Sequence, residues 1–505
     1  MYAILQGHSC VYDIQAITQI FFPNEKFTQV NAVPDQGVTA LSRLENGECL
    51  GQVYVDGVLR ESHSMFTDAI GLDPKPKLDP KNPRAVIPAA VPGGGDHDYD
   101  HDHELRRKLM MSLFIACKAY TGLKTPWGAL TGVRPSKMAR LMLAQGFSRA
   151  QMVRALEKNY WTHPDKVHLS IDVALAEEKI LARQLADAFS LYIGVPFCPT
   201  RCLYCSFVSY PFEKNADRID AYLTVLKKEL AAVARFTRGR PLQSLYIGGG
   251  TPTALPEKYL DELLAAAIEY FGRPVSEFSV EAGRPDTITR EKLRILKSYA
   301  VSRISINPQS LHDETLARIG RRHTAEDCLR AFTLARDEGF DDINMDVILG
   351  LPGETKDHAA ETLAGIGRLR PESVTVHTLT IKRASLLRET LASYPLAEMD
   401  ALEEMLCDSR EKCREMGMAP YYMYRQKNML GNFENVGYCL PDRESFYNVV
   451  IMEETQDIWA VGAGAVSKLL DKSADRITRI FNVKSLDDYM GRIDEMIRRK
   501  EEFLC

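Results

Sequence analysis

Three cysteines on one short stretch carry the most specific chemical signal in this sequence. Cys198, Cys202 and Cys205 are spaced C-x3-C-x2-C, after an apolar, strand-like run that ends at Pro196. Thiolates are the usual ligands of iron–sulfur clusters, and three of them leave one iron open to a small molecule, as catalytic metal sites keep an open position. The spacing favours such an open cluster over a structural zinc knuckle, because residues 206–210 add no further Cys or His.

The length and composition limit the classes of protein. The chain has 505 residues, more than one ordinary domain, with 45% apolar residues and a formal net charge of −5. An acidic balance argues against a nucleic-acid partner. No apolar run approaches a membrane span, and the first residues lack the basic start of a signal peptide. The eleven cysteines do not form a disulfide framework, and with a reduced-cluster motif they predict a cytoplasmic protein.

Alternating strand-like and helical runs from Leu191 onward predict how the cysteines are positioned. Helical runs separate six strand-like runs, and this alternation indicates a parallel sheet. The predicted fold is α/β, a partial (β/α)6 TIM-like barrel with functional groups at the carboxyl ends of its strands. The strand-like runs are Leu191–Val195, Ser244–Ile247, Glu277–Glu281, Arg303–Asn307, Ile343–Leu349 and Ser373–Leu379.

Polar or glycine-rich segments follow these strands. Gly248–Pro252 follows the second strand. Its glycines suit either the close approach of a ligand to the backbone or a tight turn. Glu281, Gln309 and Asp346 stand at the ends of the third, fourth and fifth strands, and Arg321 follows a short helix. Each residue alone is more typical of a cap or turn, but their order after the cysteine triplet favours a common site.

The sequence before and after the predicted barrel gives less specific signals of function. We predict a small α+β domain with an acidic linker over 1–103, a helical segment over 104–188, the barrel over 189–381 and a mixed C-terminal domain over 382–505. His97, His101 and His103 lie among Asp residues and are more typical of a solvated linker than of a metal site.

Two further segments leave two interpretations open. Arg134 and Lys137, on a glycine-rich stretch, suit either surface charge or a substrate carboxylate. The stretch Tyr421–Tyr438 suits either a packed edge or a wall for a flat aromatic ligand, with Arg425 or Lys427 pairing its carboxylates.

The motifs together resemble the radical S-adenosylmethionine (SAM) superfamily. Within it they are similar to the oxygen-independent coproporphyrinogen III dehydrogenases, over roughly residues 190–470, and the N-terminal extension resembles that of HemZ-type members. The resemblance implies a [4Fe–4S] cluster on the three cysteines, one or two SAM molecules, a C-terminal domain like that of HemN, and catalytic roles for Arg321 and Gln309. It also implies SAM contacts from Tyr192, Tyr204, Gly249, Gly250, Thr251, Glu281, Gln309, Arg321 and Asp346, and more loosely from Thr380 and Ala465.

The family reaction supplies the expected function. A deoxyadenosyl radical, made from SAM by the reduced cluster, takes a hydrogen from two propionates of coproporphyrinogen III, which lose CO2 and become the vinyls of protoporphyrinogen IX. We therefore expect a tetrapyrrole substrate and a flavodoxin- or ferredoxin-type reductant. Decarboxylating relatives carry a further cysteine two residues after the third ligand, where this chain has Phe207. The alternatives are a radical SAM protein that binds, transfers or modifies heme, and a cluster-containing electron-transfer protein.

Overall fold

The computed structural model describes residues 1–23, 25–66, 78–79, 82–86, 97–132, 134–382, 385–389, 394, 396–426, 433–471 and 476–504. The chain divides into two compact units, Met1–Ile171 and Asp172–Cys505. Much of the predicted acidic linker, together with Lys427 and Asn428, lies outside the described residues. None of the helices in the described ranges is long and apolar enough to cross a membrane.

The first unit contains a five-stranded sheet in the order β2-β1-β3-β4-β5. The helix α2 covers it, and Leu113 and Phe114 of this helix share one buried core with Ile14, Ile17 and Val53. The elements are β1 (Tyr2–Gln6), α1 (Val11–Phe21), β2 (Thr28–Gln29), β3 (Val38–Glu45), β4 (Glu48–Val55), β5 (Val58–Phe66), β6 (Leu78–Asp79), β7 (Asn82–Val86), α2 (His97–Thr121), α3 (Ser136–Ala144), α4 (Arg149–Tyr160) and α5 (Pro164–Leu181).

The predictions for this unit are partly corrected. The α+β character and the helices after residue 104 are as predicted, but the loop prediction is wrong for residues 97–103, which begin α2. Acidic residue types are favourable in the first turns of a helix, so an acidic run is compatible with a helix start as well as with a linker. The predicted boundary at residue 103 therefore falls inside a helix, and the division between the two units falls inside α5.

The second unit is built around parallel strands that alternate with helices. All six predicted strands and the five predicted helices between them are present. The elements are β8 (Phe189–Val195), β9 (Phe197–Cys198), β10 (Tyr210–Pro211), α6 (Ile219–Phe236), β11 (Leu242–Gly249), α7 (Glu257–Phe271), β12 (Glu277–Val280), α8 (Arg290–Ser298), β13 (Arg303–Ser305), α9 (Asp313–Arg318), α10 (Ala325–Asp337), β14 (Ile343–Leu349), α11 (Lys356–Leu369) and β15 (Ser373–Thr378).

The C-terminal residues extend this sheet at both edges. The 11-stranded sheet has the order β16-β17-β15-β14-β13-β12-β11-β8-β18-β19-β20. Strand β17 runs antiparallel to β15, whereas β18 runs parallel to β8, the strand that leads to the cysteines. The elements are α12 (Leu386–Glu389), α13 (Met399–Glu415), β16 (Ala419–Tyr424), β17 (Asn435–Cys439), α14 (Phe446–Glu453), β18 (Asp457–Val461), β19 (Val466–Asp471), β20 (Arg476–Phe481), α15 (Leu486–Gly491) and α16 (Ile493–Glu501).

Candidate cofactor site at the carboxyl ends of the parallel strands

One partly exposed side chain interrupts each of several otherwise buried strands. These side chains are Tyr192 in β8, Asp346 in β14 and His377 in β15, and β11 exposes Tyr246 in the same way before its glycines. A strand buried on both faces has no reason to carry a polar side chain unless that side chain meets a ligand or a partner. The four residues therefore mark partly exposed polar positions on the strands that lead toward the cysteine loop and its neighbours.

The cysteine loop is fixed by backbone hydrogen bonds to three other segments. Gly250 N donates to Val195 O at 2.7 Å, and Leu203 N donates to Ile319 O at 2.9 Å. Leu203 O accepts from Leu387 N at 2.9 Å. Cys198 Sγ lies 3.4 Å from Thr251 Oγ1, so the first cysteine faces the glycine loop. The loop that carries the cysteines is thus built into the sheet edge.

The three thiols of the cysteine loop differ in their burial. Cys202 is buried and Cys198 and Cys205 are partly exposed. Burial raises the pKa of Cys198 to about 12 and also raises that of Cys205, so both thiols hold their protons until a metal replaces them. No group of three or more His, Cys, Asp or Glu side chains among the described residues converges on one ion. A [4Fe–4S] cluster takes one thiolate per iron, so its ligands stand apart.

The glycine loop, Gly248–Gly250, lies so close to neighbouring atoms that larger side chains would clash. A Cβ on Gly250 would lie 2.6 Å from Phe197 O and 2.7 Å from Val195 O, and one on Gly248 would lie 2.7 Å from Glu281 Oε2. Gly249 has a φ of 103°, which L side chains rarely adopt. These glycines therefore let β11 end directly against the cysteine loop and Glu281.

Glu281 lies within a cluster of tyrosines. Its Oε1 accepts from Tyr246 OH at 2.6 Å and its Oε2 from Gly249 N at 3.2 Å. Burial raises the pKa of Glu281 to about 7, against the effect of the Tyr246 hydrogen bond. The rings of Tyr192, Tyr246 and Tyr447 form a triangle, with centroids 6.1 Å apart for Tyr192–Tyr246, 4.6 Å for Tyr246–Tyr447 and 6.4 Å for Tyr192–Tyr447. Glu281 is therefore a carboxyl group poised to change its charge when a polar or cationic ligand arrives.

Arg321 lies close to the cysteine loop, and Gln309 lies beside Asp346, whose backbone oxygen accepts from Gln309 N at 2.9 Å. Arg321 Nη1 donates to Asn307 O at 2.5 Å, and Nη2 donates to Tyr204 OH at 3.3 Å. Although burial opposes it, Tyr204 and Cys202 raise the pKa of Arg321. Gln309 has a φ of 66°, and its Oε1 finds no hydrogen-bond partner among the described residues. Strain and an unpartnered buried oxygen are both typical of ligand sites.

Asp346 is held by its neighbours on the sheet. Asn344 Nδ2 donates to Asp346 Oδ1 at 2.7 Å, and His377 Nε2 lies 3.7 Å from Oδ2. Burial opposes the ionised form, but His377 and Asn344 together lower the pKa of Asp346. The other ring nitrogen of His377 lies 3.4 Å from Tyr424 OH. An anionic carboxylate beside an imidazole can orient a hydroxyl or an amine of a ligand.

Thr380 and Ala465, for which the resemblance implies SAM contacts more loosely, have different environments. Thr380 Oγ1 bonds to Thr378 O at 3.3 Å, and Ala465 is buried in the turn after β18. A Cβ on Gly462, in the same turn, would lie 2.5 Å from Gly194 O, so the turn packs on the end of β8. Their contacts with SAM remain predictions.

Arg134 and Arg425, the arginines that could bind substrate carboxylates, lie in different parts of the structure. Arg134 belongs to the first unit, whereas Arg425 belongs to the second and is buried. Burial lowers the pKa of Arg425 to about 10, and Glu434 opposes this shift. Phe207 is 65% exposed, and Lys382 Nζ lies 5.5 Å from the centroid of its ring. The aromatic residue in place of a fourth cysteine is thus an exposed side chain with a cation beside it.

Sequence reasoning missed several residues of this site. Tyr246, Tyr447, His377 and Arg284 all contact predicted site residues. The signal for Tyr246 and His377 was available, because both are polar residues near the carboxyl ends of predicted strands. Tyr447 lies in a helix that follows the barrel, and its stacking on Tyr246 depends on tertiary packing that no local pattern encodes.

Comparisons with known proteins identify the class of this site. Residues 192–365 match the radical SAM superfamily. The oxygen-independent coproporphyrinogen-III oxidase-like protein HemZ of Bacillus subtilis strain 168 is 42% identical over 394 residues, which cover 77% of this chain and 78% of HemZ. The heme chaperone HemW of the same organism is 32% identical over 313 residues, 61% of this chain and 76% of HemW. The chain therefore belongs to the radical SAM superfamily, in the coproporphyrinogen-III oxidase-like branch that contains HemZ.

The chain also matches solved structures. The coproporphyrinogen III oxidase HemN of Escherichia coli, described as a radical SAM enzyme, is 23% identical, with a TM-score of 0.49. The match covers 64% of this chain and 73% of HemN.

The family implies a [4Fe–4S] cluster and SAM, and the residues present fit both groups. The buried cations Arg284 and Arg321 both lie beside Cys202, which suits a cluster whose thiolates bring negative charge. The strained Gln309 and the carboxyl groups of Glu281 and Asp346 offer polar contacts for a ligand with an amino group and ribose hydroxyls.

Proposed function

We propose that this protein is a radical SAM enzyme of tetrapyrrole metabolism that converts two propionates of coproporphyrinogen III to vinyl groups, giving protoporphyrinogen IX. When bound, the cluster and SAM would supply a deoxyadenosyl radical. Each conversion removes one hydrogen from a propionate β-carbon and releases CO2 and one electron to an external acceptor. The proposal also includes a flavodoxin- or ferredoxin-type reductant and a cytoplasmic location.

The observation that carries this proposal is the open thiol triplet at the mouth of a polar, tyrosine-lined barrel interior. Cys198, Cys202 and Cys205 would hold the cluster, and Thr251 packs against the first of them. This arrangement supports chemistry on a bound molecule more directly than electron transfer, for which the polar interior has no purpose. The 42% identity to a coproporphyrinogen-III oxidase-like protein supports the choice of substrate.

The chain's own residues have distinct roles in this proposal. Glu281, Gln309 and Arg321 bind and orient SAM beside the cysteine loop, and Asp346 adds a second anionic contact. Tyr192, Tyr246 and further tyrosines of the interior exclude water, which would otherwise quench a radical. Because coproporphyrinogen III carries four propionates, its pocket needs cations, and Arg425 is the candidate in the second unit.

A second candidate function is heme handling without decarboxylation. Phe207 favours it, since the position holds an exposed aromatic ring beside Lys382 instead of a cysteine. An aromatic face and a cation suit a flat macrocycle with propionates. The relatives called heme chaperones, such as HemW of Bacillus subtilis, support the same candidate.

One experiment separates the two functions. The protein is reconstituted anaerobically with iron and sulfide and incubated with coproporphyrinogen III, SAM and a reductant. Vinyl products and CO2 are read by mass spectrometry, together with 5′-deoxyadenosine. Protoporphyrinogen IX is the expected product. Deoxyadenosine without any vinyl group, combined with tight heme binding in a Soret titration, would replace the dehydrogenase by the heme-handling candidate.

The cysteines are tested by single substitutions to alanine. Cys198→Ala, Cys202→Ala and Cys205→Ala should each lose the cluster's iron, sulfide and visible absorbance. Cys407→Ala is the matched control, because Cys407 is an exposed thiol on α13, away from the cysteine loop. Retention of the full cluster in all three variants would remove the basis of the proposal.

A further inference from the structure

Arg284 makes a set of contacts with the cysteine loop that the proposed function does not use. The residue follows β12 and is 3% exposed. Its Nη1 lies 3.8 Å from Cys202 Sγ, and it donates to Thr200 O at 3.3 Å and to Thr200 Oγ1 at 3.1 Å. One buried guanidinium therefore holds both the backbone of the loop and the sulfur of its second cysteine.

A carboxylate fixes the orientation of this guanidinium. Arg284 Nε and Nη2 donate to the two oxygens of Asp286 at 3.1 and 3.0 Å, which leaves Nη1 directed at the loop. His323 Nδ1 lies 3.7 Å from Asp286 Oδ1, and the His323 side chain is fully buried. Although burial opposes it, His323 and Arg284 lower the pKa of Asp286 to about 2, so this carboxylate is ionised at neutral pH.

We propose that Arg284 and Asp286 form a charge pair that sets the reduction potential of the cluster through Cys202. Arg284 donates an N–H to the Cys202 thiolate and stabilises the reduced, more negative cluster. Asp286 aims the guanidinium and offsets part of its charge. Both are positioning residues, because Arg284 acts on the cluster through Cys202 and Asp286 acts through Arg284. The inference rests on the cluster of the proposed function but not on its tetrapyrrole reaction.

The physical basis is the control of metal centres by groups around their ligands. Hydrogen bonds to cluster sulfurs and nearby charges shift the potential of an iron–sulfur centre. Removal of Arg284 leaves the partly exposed Asp286 carboxylate near the cluster without its cationic partner, which disfavours reduction. Removal of the Asp286 charge leaves Arg284 as an uncompensated positive charge, which favours reduction. The two substitutions break the same ion pair but act on the potential with opposite signs.

The test measures the midpoint potential of the reconstituted full-length protein by spectroelectrochemistry without SAM or substrate. Arg284→Gln should make the cluster at least tenfold harder to reduce, which for a one-electron couple is 59 mV more negative. Asp286→Asn should shift the potential in the positive direction. Arg284→Lys should lie between Arg284→Gln and the wild type, because lysine keeps the charge and loses the planar fork.

The control separates this role from loosening of the structure. Arg294 is an exposed arginine paired with Glu338, and Arg294→Gln should leave the potential unchanged. If the two residues had a merely structural role, Arg284→Gln and Asp286→Asn would shift the midpoint potential in the same direction. That result would overturn the inference. Unchanged potentials in both variants would also overturn it while leaving the proposed function intact. If the reconstituted wild-type protein held no cluster, that result would contradict both the inference about Arg284 and Asp286 and the proposed function.

Discussion

The buried ion pair between Lys500 and Glu229 gives a prediction that needs no cofactor. Both side chains are fully buried, and Lys500 Nζ lies 2.7 Å from Glu229 Oε1, joining the last helix, α16, to α6. Asn482 Nδ2 donates to the same carboxylate oxygen at 2.8 Å, and Gly462 N and Tyr489 OH donate to the other at 2.9 and 2.6 Å. The carboxylate is thus saturated by four donors, of which only Lys500 brings a positive charge.

The perturbation is Lys500→Met, which keeps a long apolar side chain and removes the charge. Removing one partner of a buried pair leaves the other charge uncompensated and costs about 3–5 kcal/mol of unfolding free energy. A further Glu229→Gln substitution in the same chain should recover part of this loss, because it removes the stranded charge. The double variant should therefore unfold at a higher urea concentration than Lys500→Met alone.

Urea unfolding of the apoprotein measures the effect. The slope m should stay constant while the midpoint falls. Lys228→Met is the matched control, since the exposed Lys228–Asp494 ion pair also joins α6 to α16. An exposed pair contributes about 0–1 kcal/mol. If Lys500→Met costs no more than Lys228→Met, the reasoning from burial is refuted.

Three further predictions concern the site. Burial raises the pKa of Glu281 from 4.5 to about 7, so its contribution to stability is full below pH 4.5 and is lost as pH rises through 7. Relative to Glu281→Gln, the wild type should therefore lose at most about 3 kcal/mol between pH 4 and 8 in urea titrations. Glu281→Gln should also weaken SAM binding without changing the cluster spectrum; unchanged SAM affinity would contradict the proposed role. Gly250→Ala places a Cβ 2.6 Å from Phe197 O and should cost about 1–3 kcal/mol, whereas a Cβ on Gly491 meets no atom within 4 Å and Gly491→Ala is the control. Arg425→Lys should lose the vinyl product while still cleaving SAM slowly, because lysine lacks the planar fork of arginine; full vinyl formation would exclude Arg425 as a propionate ligand.

The barrel was predictable because its signals are local. Five of the seven residues of β14 are apolar, as is typical of strands covered on both faces, and its bounds, Ile343–Leu349, are those predicted. The structure brings Glu281 and Asp346 near enough that, besides burial, the charge of Asp346 raises the pKa of Glu281, whereas the ligand roles of these residues and of the cysteine triplet stay predictions.

The rest depends on contacts between distant segments. The sequence of the C-terminal region lacks the regular alternation of strand-like and helical runs that predicts the barrel. Nevertheless, β17 and β18 join opposite edges of the sheet that the barrel strands form. Arg284 and its contact with Cys202 bring together residues 82 positions apart. No periodicity or spacing encodes such pairings, because they arise from sheet order and side-chain packing.

The parallel pairing of β18 with β8 has a consequence for synthesis of the chain. Ile458 and Trp459 of β18 align with Ser190 and Leu191 of β8, although about 260 residues separate the two strands. At a translation rate of about 5–20 residues per second, β8 would wait roughly 15–50 s on the ribosome for this neighbour. During that interval one edge of the strand that leads to the cysteines would lack its hydrogen-bond partner. The hydrogen-bonded setting of the strand that leads to the cysteines is therefore complete only after Val461 has been synthesised.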